Sequence, residues 1–240
     1  MKPDTTLLCD ADGNLYPSEE PAFEASVGVT NRLVAHLGSR NRFTADELRS
    51  ASVGMNFRSL AQRLADQYGA SLSPEEVQCW VDEENRVVTA HLRRTLRPVQ
   101  PVLDALTGLS ERFELAVVSS SALSRLAVCF TVSGLDPLFP AAARFSAQDS
   151  LSIPSSKPDP AVYRHATRQL GLSADRAVAV EDAVAGVASA VAAGVQTVGN
   201  LAFVAPTEKS ARARALLDAG ALLVVKDWEE LDAVLLAAKF

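Results

Sequence analysis

Two aspartates one residue apart follow an apolar run near the start of the chain, in the segment LLCDADGNL. Neighbouring carboxylates raise each other's pKa and resist desolvation, and a turn before Gly13 needs only one aspartate. A carboxylate can attack phosphorus and form an aspartyl-phosphate, while a second carboxylic group can serve as general acid and then as general base. The pair therefore favours phosphoryl transfer, with Asp10 as the nucleophile and Asp12 as the acid and base.

Three further segments carry groups that this chemistry needs: VVSSS, SSKPDPAVY and VAVEDAVAG. The hydroxyl of Ser119 and the ammonium group of Lys157 can hydrogen-bond and neutralise phosphoryl oxygens. Carboxylates near a phosphate repel it unless a hard cation lies between them. Asp10 and Asp182 are the best candidate Mg²⁺ ligands, with Glu181 as a possible helper.

Each of these segments alone also has a structural explanation. Asp and Gly favour turns, a serine run can cap a helix, KPDP can begin a helix, and an acidic pair can lie at a helix N-terminus. These explanations do not account for all four segments, each placed at the end of a predicted strand or the start of the following helix.

Short runs rich in Val and Leu alternate with helical segments, which is typical of parallel strands covered on both faces. Ligands of such sheets bind at the carboxyl ends of the strands, where the polar segments lie. The predicted strands cover residues 5–9, 115–118, 177–180, 196–198 and 222–225.

The segment from Tyr16 to about Arg97 contains helix signals and no convincing strand. Ser73 and Glu76 form a predicted capping box, and Thr44 predicts a second helix start. A third predicted helix, in NFRSLAQRLADQYG, stops at Gly69. The sequence thus predicts two domains: residues 1–15 with 98–240 as an α/β core, and residues 16–97 as an inserted helical domain.

Composition narrows the class of protein. The chain has 240 residues and 48% apolar content, so it can bury a full hydrophobic core. Its net charge of −6 and the lack of a basic run argue against binding to nucleic acid. No apolar run is long enough for a membrane span or a signal peptide. Cys9, Cys79 and Cys129 lie far apart and predict buried reduced thiols. We expect a soluble cytoplasmic protein with a small-molecule partner, no nucleic acid and no membrane, as a monomer or weak homodimer.

The four segments together resemble the motifs of the haloacid dehalogenase superfamily, in particular its β-phosphoglucomutase-like branch of sugar-phosphate phosphatases and mutases. The similarity spans about Leu7 to Gly199. It implies an α/β Rossmannoid core with a parallel sheet flanked by helices, and an inserted all-helical cap that closes over the substrate. The residue roles that it implies are Asp10 as nucleophile, Asp12 as acid/base, Ser119 and Ser120 on the phosphate, Lys157 between nucleophile and phosphate, and Glu181 with Asp182 and the Asp12 main-chain carbonyl around Mg²⁺.

Several positions depart from the family pattern. Asn14 stands where Thr or Val is usual, and its amide is expected to be able to reach the phosphate. Ala22 stands where mutases of this branch carry a hinge histidine, which disfavours a mutase. Asp12 opposes a true dehalogenase, which lacks this second aspartate. It also opposes a phosphonoacetaldehyde hydrolase, in which a small residue replaces this aspartate. Such hydrolases also use a cap lysine, and the predicted cap contains no lysine.

The first candidate for a substrate contact in the cap is Arg58, and the second is Asn56. Glu20, just after the loop that carries Asp10 and Asp12, is a third. Alternatively, Arg58 is a helix residue whose side chain faces solvent, and the sequence does not favour one of these two interpretations over the other. The expected function is a Mg²⁺-dependent phosphatase acting on a sugar, polyol or sugar-acid phosphate through an aspartyl-phosphate. The alternatives are a phosphosugar mutase and a catalytically weak, phosphometabolite-binding regulator.

Overall fold

The fold is known from a computed structural model, which describes residues 5–52 and 55–237. Within these residues lie six strands and ten α-helices. The strands are β1 (Thr6–Cys9), β2 (Glu114–Ser119), β3 (Arg144–Ser146), β4 (Ala177–Glu181), β5 (Gln196–Asn200) and β6 (Leu223–Val225). The helices are α1 (Glu19–His36), α2 (Ala45–Ala51), α3 (Phe57–Gln67), α4 (Pro74–Thr95), α5 (Gln100–Ser110), α6 (Leu123–Ser133), α7 (Ala161–Gln169), α8 (Val184–Ala192), α9 (Lys209–Asp218) and α10 (Trp228–Ala237).

All six strands form one parallel sheet in the order β3-β2-β1-β4-β5-β6. The α/β fold predicted from the sequence is therefore confirmed. β1 lies at the centre, with Cys9 paired to Val117 of β2 on one side and to Val180 of β4 on the other. The segments that follow these three central strands consequently meet at one edge of the sheet.

Buried apolar side chains join the sheet to its helices. Leu8, Val118 and Ala179 of the central strands pack in one cluster with Tyr163 of α7 and Ala190 of α8. Every residue of β1 and of β4 is buried, and burial on both faces explains why these strands read as continuous apolar runs rather than alternating ones.

Strand β3 was not predicted. It has only three residues, of which Arg144 is charged, and it lies at the edge of the sheet. With Phe145 as its only apolar residue, β3 is too short to show the apolar run by which the other strands are found in a sequence.

The chain divides into two compact units: an α/β unit up to Pro17 and from Leu96 onward, and a helical unit, Ser18–Thr95. In the helical unit, α1 packs on α4 and α2, and α3 packs on α4. Its buried apolar cluster consists of Leu33, Val34, Leu48, Leu60, Ala61 and Leu64.

Two predicted helix starts in the helical unit are confirmed by their capping boxes. Glu47 N–H donates to Thr44 Oγ1 at 3.2 Å, and Thr44 N–H donates to the Glu47 carboxylate at 2.8 Å. Ser73 and Glu76 make the same reciprocal pair at 3.2 and 2.7 Å before α4. The use of this unit as a substrate cap stays a prediction.

The prediction of three buried thiols is wrong for one of them. Cys9 and Cys129 are buried, but Cys79 is exposed. Val77 and Val81 form part of the buried face of α4, and a residue two positions from each lies on the opposite side of the helix.

No helix within residues 5–52 and 55–237 combines the length and the apolar content that crossing a bilayer would need.

Candidate active site

The carboxyl end of β1 places Asp10 against β4. Asp10 N–H donates to the Val180 carbonyl at 3.0 Å, so the chain stays in register with β4 for one residue beyond the strand. It then turns sharply, with Gly13 at a φ of 76° and its N–H donating to the Tyr16 carbonyl at 3.0 Å. The Asp10 side chain is consequently buried, while Asp12, on the turn, is partly buried.

Lys157 makes three polar contacts from a buried position. Its ammonium group contacts the Asp10 carboxylate, and it donates to Glu181 Oε1 and to the Val118 carbonyl, both at 2.7 Å. An ammonium group has three protons to donate, and here each has an acceptor. The side chain is therefore held in place between β1, β2 and β4.

Three carboxylates converge beside Lys157. Oxygens of Asp10, Glu181 and Asp182 all lie within 4.8 Å of one another, and all three residues are buried. Glu181 is the last residue of β4, and its Oε1 also accepts a hydrogen bond from the buried Tyr163 hydroxyl. Its Oε2 has no hydrogen-bond partner among the residues that the structure describes.

Helix α8 approaches this cluster closely because of a glycine. A Cβ built on Gly186 would lie 1.8 Å from Glu181 Oε2 and 2.2 Å from Glu181 Cδ. Only a residue without a side chain leaves room for the carboxylate at this position.

Burial dominates the electrostatics of the cluster. Burial is the largest of the effects on the pKa of Asp10, Lys157 acts in the opposite direction, and Glu181 and Asp12 act with burial, so that the pKa is raised from 3.8 to about 8. Burial alone would lower the pKa of Lys157, but Asp10 and Glu181 raise it above its ordinary value, so the group is a cation. Three buried carboxylates thus face one ammonium group.

These residues fit a hard divalent cation. Mg²⁺ prefers oxygen ligands and is usually held by one or two carboxylates with substrate phosphate and water. The carboxylate oxygens of Asp10, Glu181 and Asp182 are close enough together to share one ion, and the Oε2 of Glu181 has no competing hydrogen bond among the described residues. A second positive charge would also offset the excess of buried carboxylates.

The serine run ends β2 beside the same cluster. Ser119 is buried, and its Oγ accepts a hydrogen bond from Ser121 N–H at 3.0 Å. Ser120 Oγ accepts one from Lys157 N–H at 3.2 Å, which ties the serine segment to the lysine segment. Predicted residues from four separate segments therefore meet at one edge of the sheet.

The hydroxyl of Ser121 donates to Asp12 Oδ2 at 2.7 Å, a contact that sequence reasoning did not assign. The available signal was the position of Ser121 in the serine run that follows β2, because β2 is next to β1 and Asp12 lies on the turn after β1.

The side chain of Asn14 does not serve the role expected for it. Its amide N–H groups donate to the carbonyls of Asp10 and Val180 at 2.9 and 3.0 Å, and its Oδ1 accepts from Asn200 Nδ2 at 2.8 Å. The residue is fully buried, and Trp228 Nε1–H donates to its main-chain carbonyl at 2.8 Å. The amide thus joins β1, β4 and β5 instead of pointing to a phosphate.

The predicted cap residues belong to the helical unit. Asn56 is the N-cap of α3, where its Oδ1 accepts from Ser59 N–H at 2.9 Å. Arg58 donates to the side chain of Gln78, and Glu20 is exposed in the first turn of α1. Their contact with a substrate stays a prediction.

Comparisons with known proteins agree with this architecture. The family model described as haloacid dehalogenase-like hydrolase matches residues 7–200. A conserved haloacid dehalogenase-like protein from Agrobacterium tumefaciens has 27% identity, with 97% of each chain covered and a TM-score of 0.71. No curated protein matches the chain.

Two other solved structures contain ligands. A HAD family hydrolase from Deinococcus radiodurans with bound phosphate and sodium has 26% identity and a TM-score of 0.68, covering 99% of this chain and 97% of that one. CbbY from Rhodobacter sphaeroides in complex with xylulose-1,5-bisphosphate has 22% identity and a TM-score of 0.71, covering 94% and 95%. The second likeness concerns the fold alone.

Proposed function

Because the chain belongs to the haloacid dehalogenase-like hydrolases, we propose that it is a Mg²⁺-dependent phosphatase acting on a small phosphorylated metabolite. A sugar, polyol or sugar-acid phosphate is the substrate class we favour. The observation that carries the proposal is the buried convergence of Asp10, Glu181 and Asp182 beside Lys157. The phosphate bound by the Deinococcus radiodurans hydrolase gives further support.

Asp10 is the nucleophile of the proposed reaction. One of its carboxylate oxygens forms a bond to phosphorus, and the bond from phosphorus to the substrate oxygen breaks. Asp12 gives its proton to the departing oxygen, then removes a proton from the water that cleaves the aspartyl-phosphate. The bond between phosphorus and Asp10 breaks in this second step, the alcohol and phosphate are released, and both aspartates return to their starting states.

Lys157 and the serines hold the groups around the phosphorus. The ammonium group of Lys157 orients the Asp10 carboxylate and offsets negative charge as the phosphate approaches. Because Ser119 Oγ accepts from Ser121 N–H, its own proton can be donated to a phosphoryl oxygen. Ser120 links this segment to Lys157 and completes the proposed phosphate-binding set.

Asp10, Glu181 and Asp182, with the main-chain carbonyl of Asp12, are the residues that would hold Mg²⁺. Bound there, the ion would supply positive charge between the carboxylates and the substrate phosphate.

We assign the choice of substrate to the helical unit, with Arg58, Asn56 and Glu20 as candidate contacts.

A phosphosugar mutase is the first alternative function, and Ala22 disfavours it because the hinge histidine is missing. A weakly catalytic regulator is the second. Asn14, in place of the usual Thr or Val, is the one sequence feature that favours this regulator, and its amide is used inside the sheet.

The proposal is tested by phosphate release from a panel of sugar, polyol, sugar-acid and nucleotide monophosphates. The wild-type protein is assayed with and without Mg²⁺, beside Asp10→Asn. We expect release that requires both Mg²⁺ and Asp10, and the order of substrates then shows what the protein selects. Folded wild-type protein that releases no phosphate from any member would reject the phosphatase.

A further inference from the structure

Ser121 contacts the residue proposed as the acid and base but has no place in the proposed phosphate-binding set. Its hydroxyl donates to Asp12 Oδ2 at 2.7 Å, and both residues are partly buried. We propose that Ser121 is a positioning residue that holds the Asp12 carboxyl group for proton transfer. This inference rests on the proposed phosphatase function.

The main chain fixes both partners of this hydrogen bond. Ser121 N–H donates to Ser119 Oγ at 3.0 Å, and Ser119 is the last residue of β2, paired with Ser146 of β3. On the other side, Asp12 pairs with Tyr16 in a β-bridge within the tight turn after β1. Since β1 and β2 are neighbours in the sheet, the hydrogen bond joins two segments that the sheet already holds in place.

The direction of the bond matters for the chemistry. A hydroxyl that donates to Oδ2 occupies a lone pair of that oxygen and restricts rotation of the carboxyl group. The proton that Asp12 transfers is then favoured on Oδ1. Ser121 keeps its own proton throughout, because the proton delivered to the departing oxygen comes from Asp12 and is recovered from water.

Bringing a catalytic group to the reacting atoms in a fixed orientation lowers the barrier of the step in which it takes part. Ser121 should therefore matter most where the departing oxygen needs a proton. An alkyl phosphate releases a strongly basic alkoxide and depends on the acid. An aryl phosphate such as para-nitrophenyl phosphate releases a stable phenolate and does not.

The test compares kcat/KM for these two substrate types, since kcat/KM covers the steps up to transfer of the phosphoryl group to Asp10. The variants are Ser121→Ala, which removes the hydroxyl, and Ser121→Thr, which keeps it. Ser110→Ala is the matched control, because the Ser110 hydroxyl bonds the Thr107 carbonyl at the exposed end of α5. Circular dichroism and Tm establish that each variant is folded.

For Ser121→Ala we expect kcat/KM to fall about tenfold with the best alkyl phosphate of the wild-type protein and to change less than about twofold with para-nitrophenyl phosphate. Ser121→Thr should recover most of the loss, and Ser110→Ala should match the wild type.

An equal loss on both substrates would overturn the inference, because it would indicate a structural or phosphate-binding role. A gain in activity would also overturn it, since the bond would then hold Asp12 away from the substrate. Wild-type protein without phosphatase activity on any substrate would instead reject the proposed function, and this inference with it.

Discussion

At the scale of single residues, the positive charge around Asp10 decides whether this buried aspartate can act as a nucleophile. Burial, Glu181 and Asp12 raise the pKa of Asp10 to about 8 even with Lys157 beside it, which leaves the carboxyl group largely protonated near neutral pH. The Lys157 ammonium group opposes this effect, and a cation held by the three carboxylates would oppose it further. A nucleophile that must be ionised therefore depends on the positive charges around it.

Asp12→Asn separates binding from catalysis. The amide has nearly the size of the carboxyl group but cannot give or remove the proton that the reaction needs. We expect turnover of an alkyl phosphate to fall about 100- to 10,000-fold, with Mg²⁺ and phosphate binding largely retained. Steady-state kinetics and calorimetric titration with Mg²⁺ and inorganic phosphate measure the two effects, and unchanged turnover would reject the assigned role.

Asn14 and Asn200 form a buried pair that can be tested by a double-mutant cycle. Asn14→Val leaves the Asn200 amide without its acceptor and should lower the free energy of unfolding by about 2 kcal/mol. Asn14→Val combined with Asn200→Val should cost less than the sum of the two single changes, because neither side-chain amide is then left buried without the other. Denaturant unfolding of the four proteins measures the coupling, and strictly additive losses would contradict it.

Residue type and position at strand ends predict that Asp10, Lys157 and Asp182 lie near one another, as they do in the structure. These two signals do not predict the contacts of Asn14, Ser121 or Tyr163. Asn14 meets Asn200 across 186 residues of sequence, and only the order of the strands brings them together. Asn14 in place of Thr or Val shows where the sequence departs from the family pattern, but it does not show that the Asn14 side chain contacts Asn200.

At the scale of elements, the start of α8 can lie close to the end of β4 because Gly186 has no side chain. Gly186→Ala places a methyl group where Glu181 Oε2 lies, and Glu181 is restrained by Lys157 and Tyr163. We expect a loss of about 1–3 kcal/mol in the free energy of unfolding, together with loss of phosphatase activity. Thermal or denaturant unfolding and the phosphate-release assay measure these effects.

Gly108→Ala is the matched control for this prediction. Gly108 lies inside α5, and a Cβ added there meets no atom within 4 Å. The change should stabilise the protein by about 0.5–1 kcal/mol, because alanine favours a helix over glycine. Equal effects of the two glycine substitutions would contradict the close packing of α8 on Glu181.

At the scale of the whole molecule, an ion bound only by the folded protein must raise its stability. At a Mg²⁺ concentration of about 100 times Kd, the gain is about 2.7 kcal/mol. For a chain of this length the corresponding rise in Tm is about 5–10 °C. Asp182→Asn should remove most of this rise, since it replaces one of the three buried carboxylates.

Differential scanning calorimetry with MgCl₂, and with NaCl at equal ionic strength as the control, measures this effect. An equal rise in Tm for the wild type and Asp182→Asn would place the ion elsewhere in the protein.

The proposed phosphorylation of Asp10 is tested most directly by trapping phosphate on this residue. Asp12→Asn protein is mixed with Mg²⁺ and para-nitrophenyl phosphate, quenched in acid during the first turnover, digested and analysed by mass spectrometry. Loss of the base should slow hydrolysis of the aspartyl-phosphate, so we expect one phosphate on the peptide that contains Asp10 and none in Asp10→Asn. Phosphate on another residue, or release of nitrophenol without any phosphorylated peptide, would contradict it.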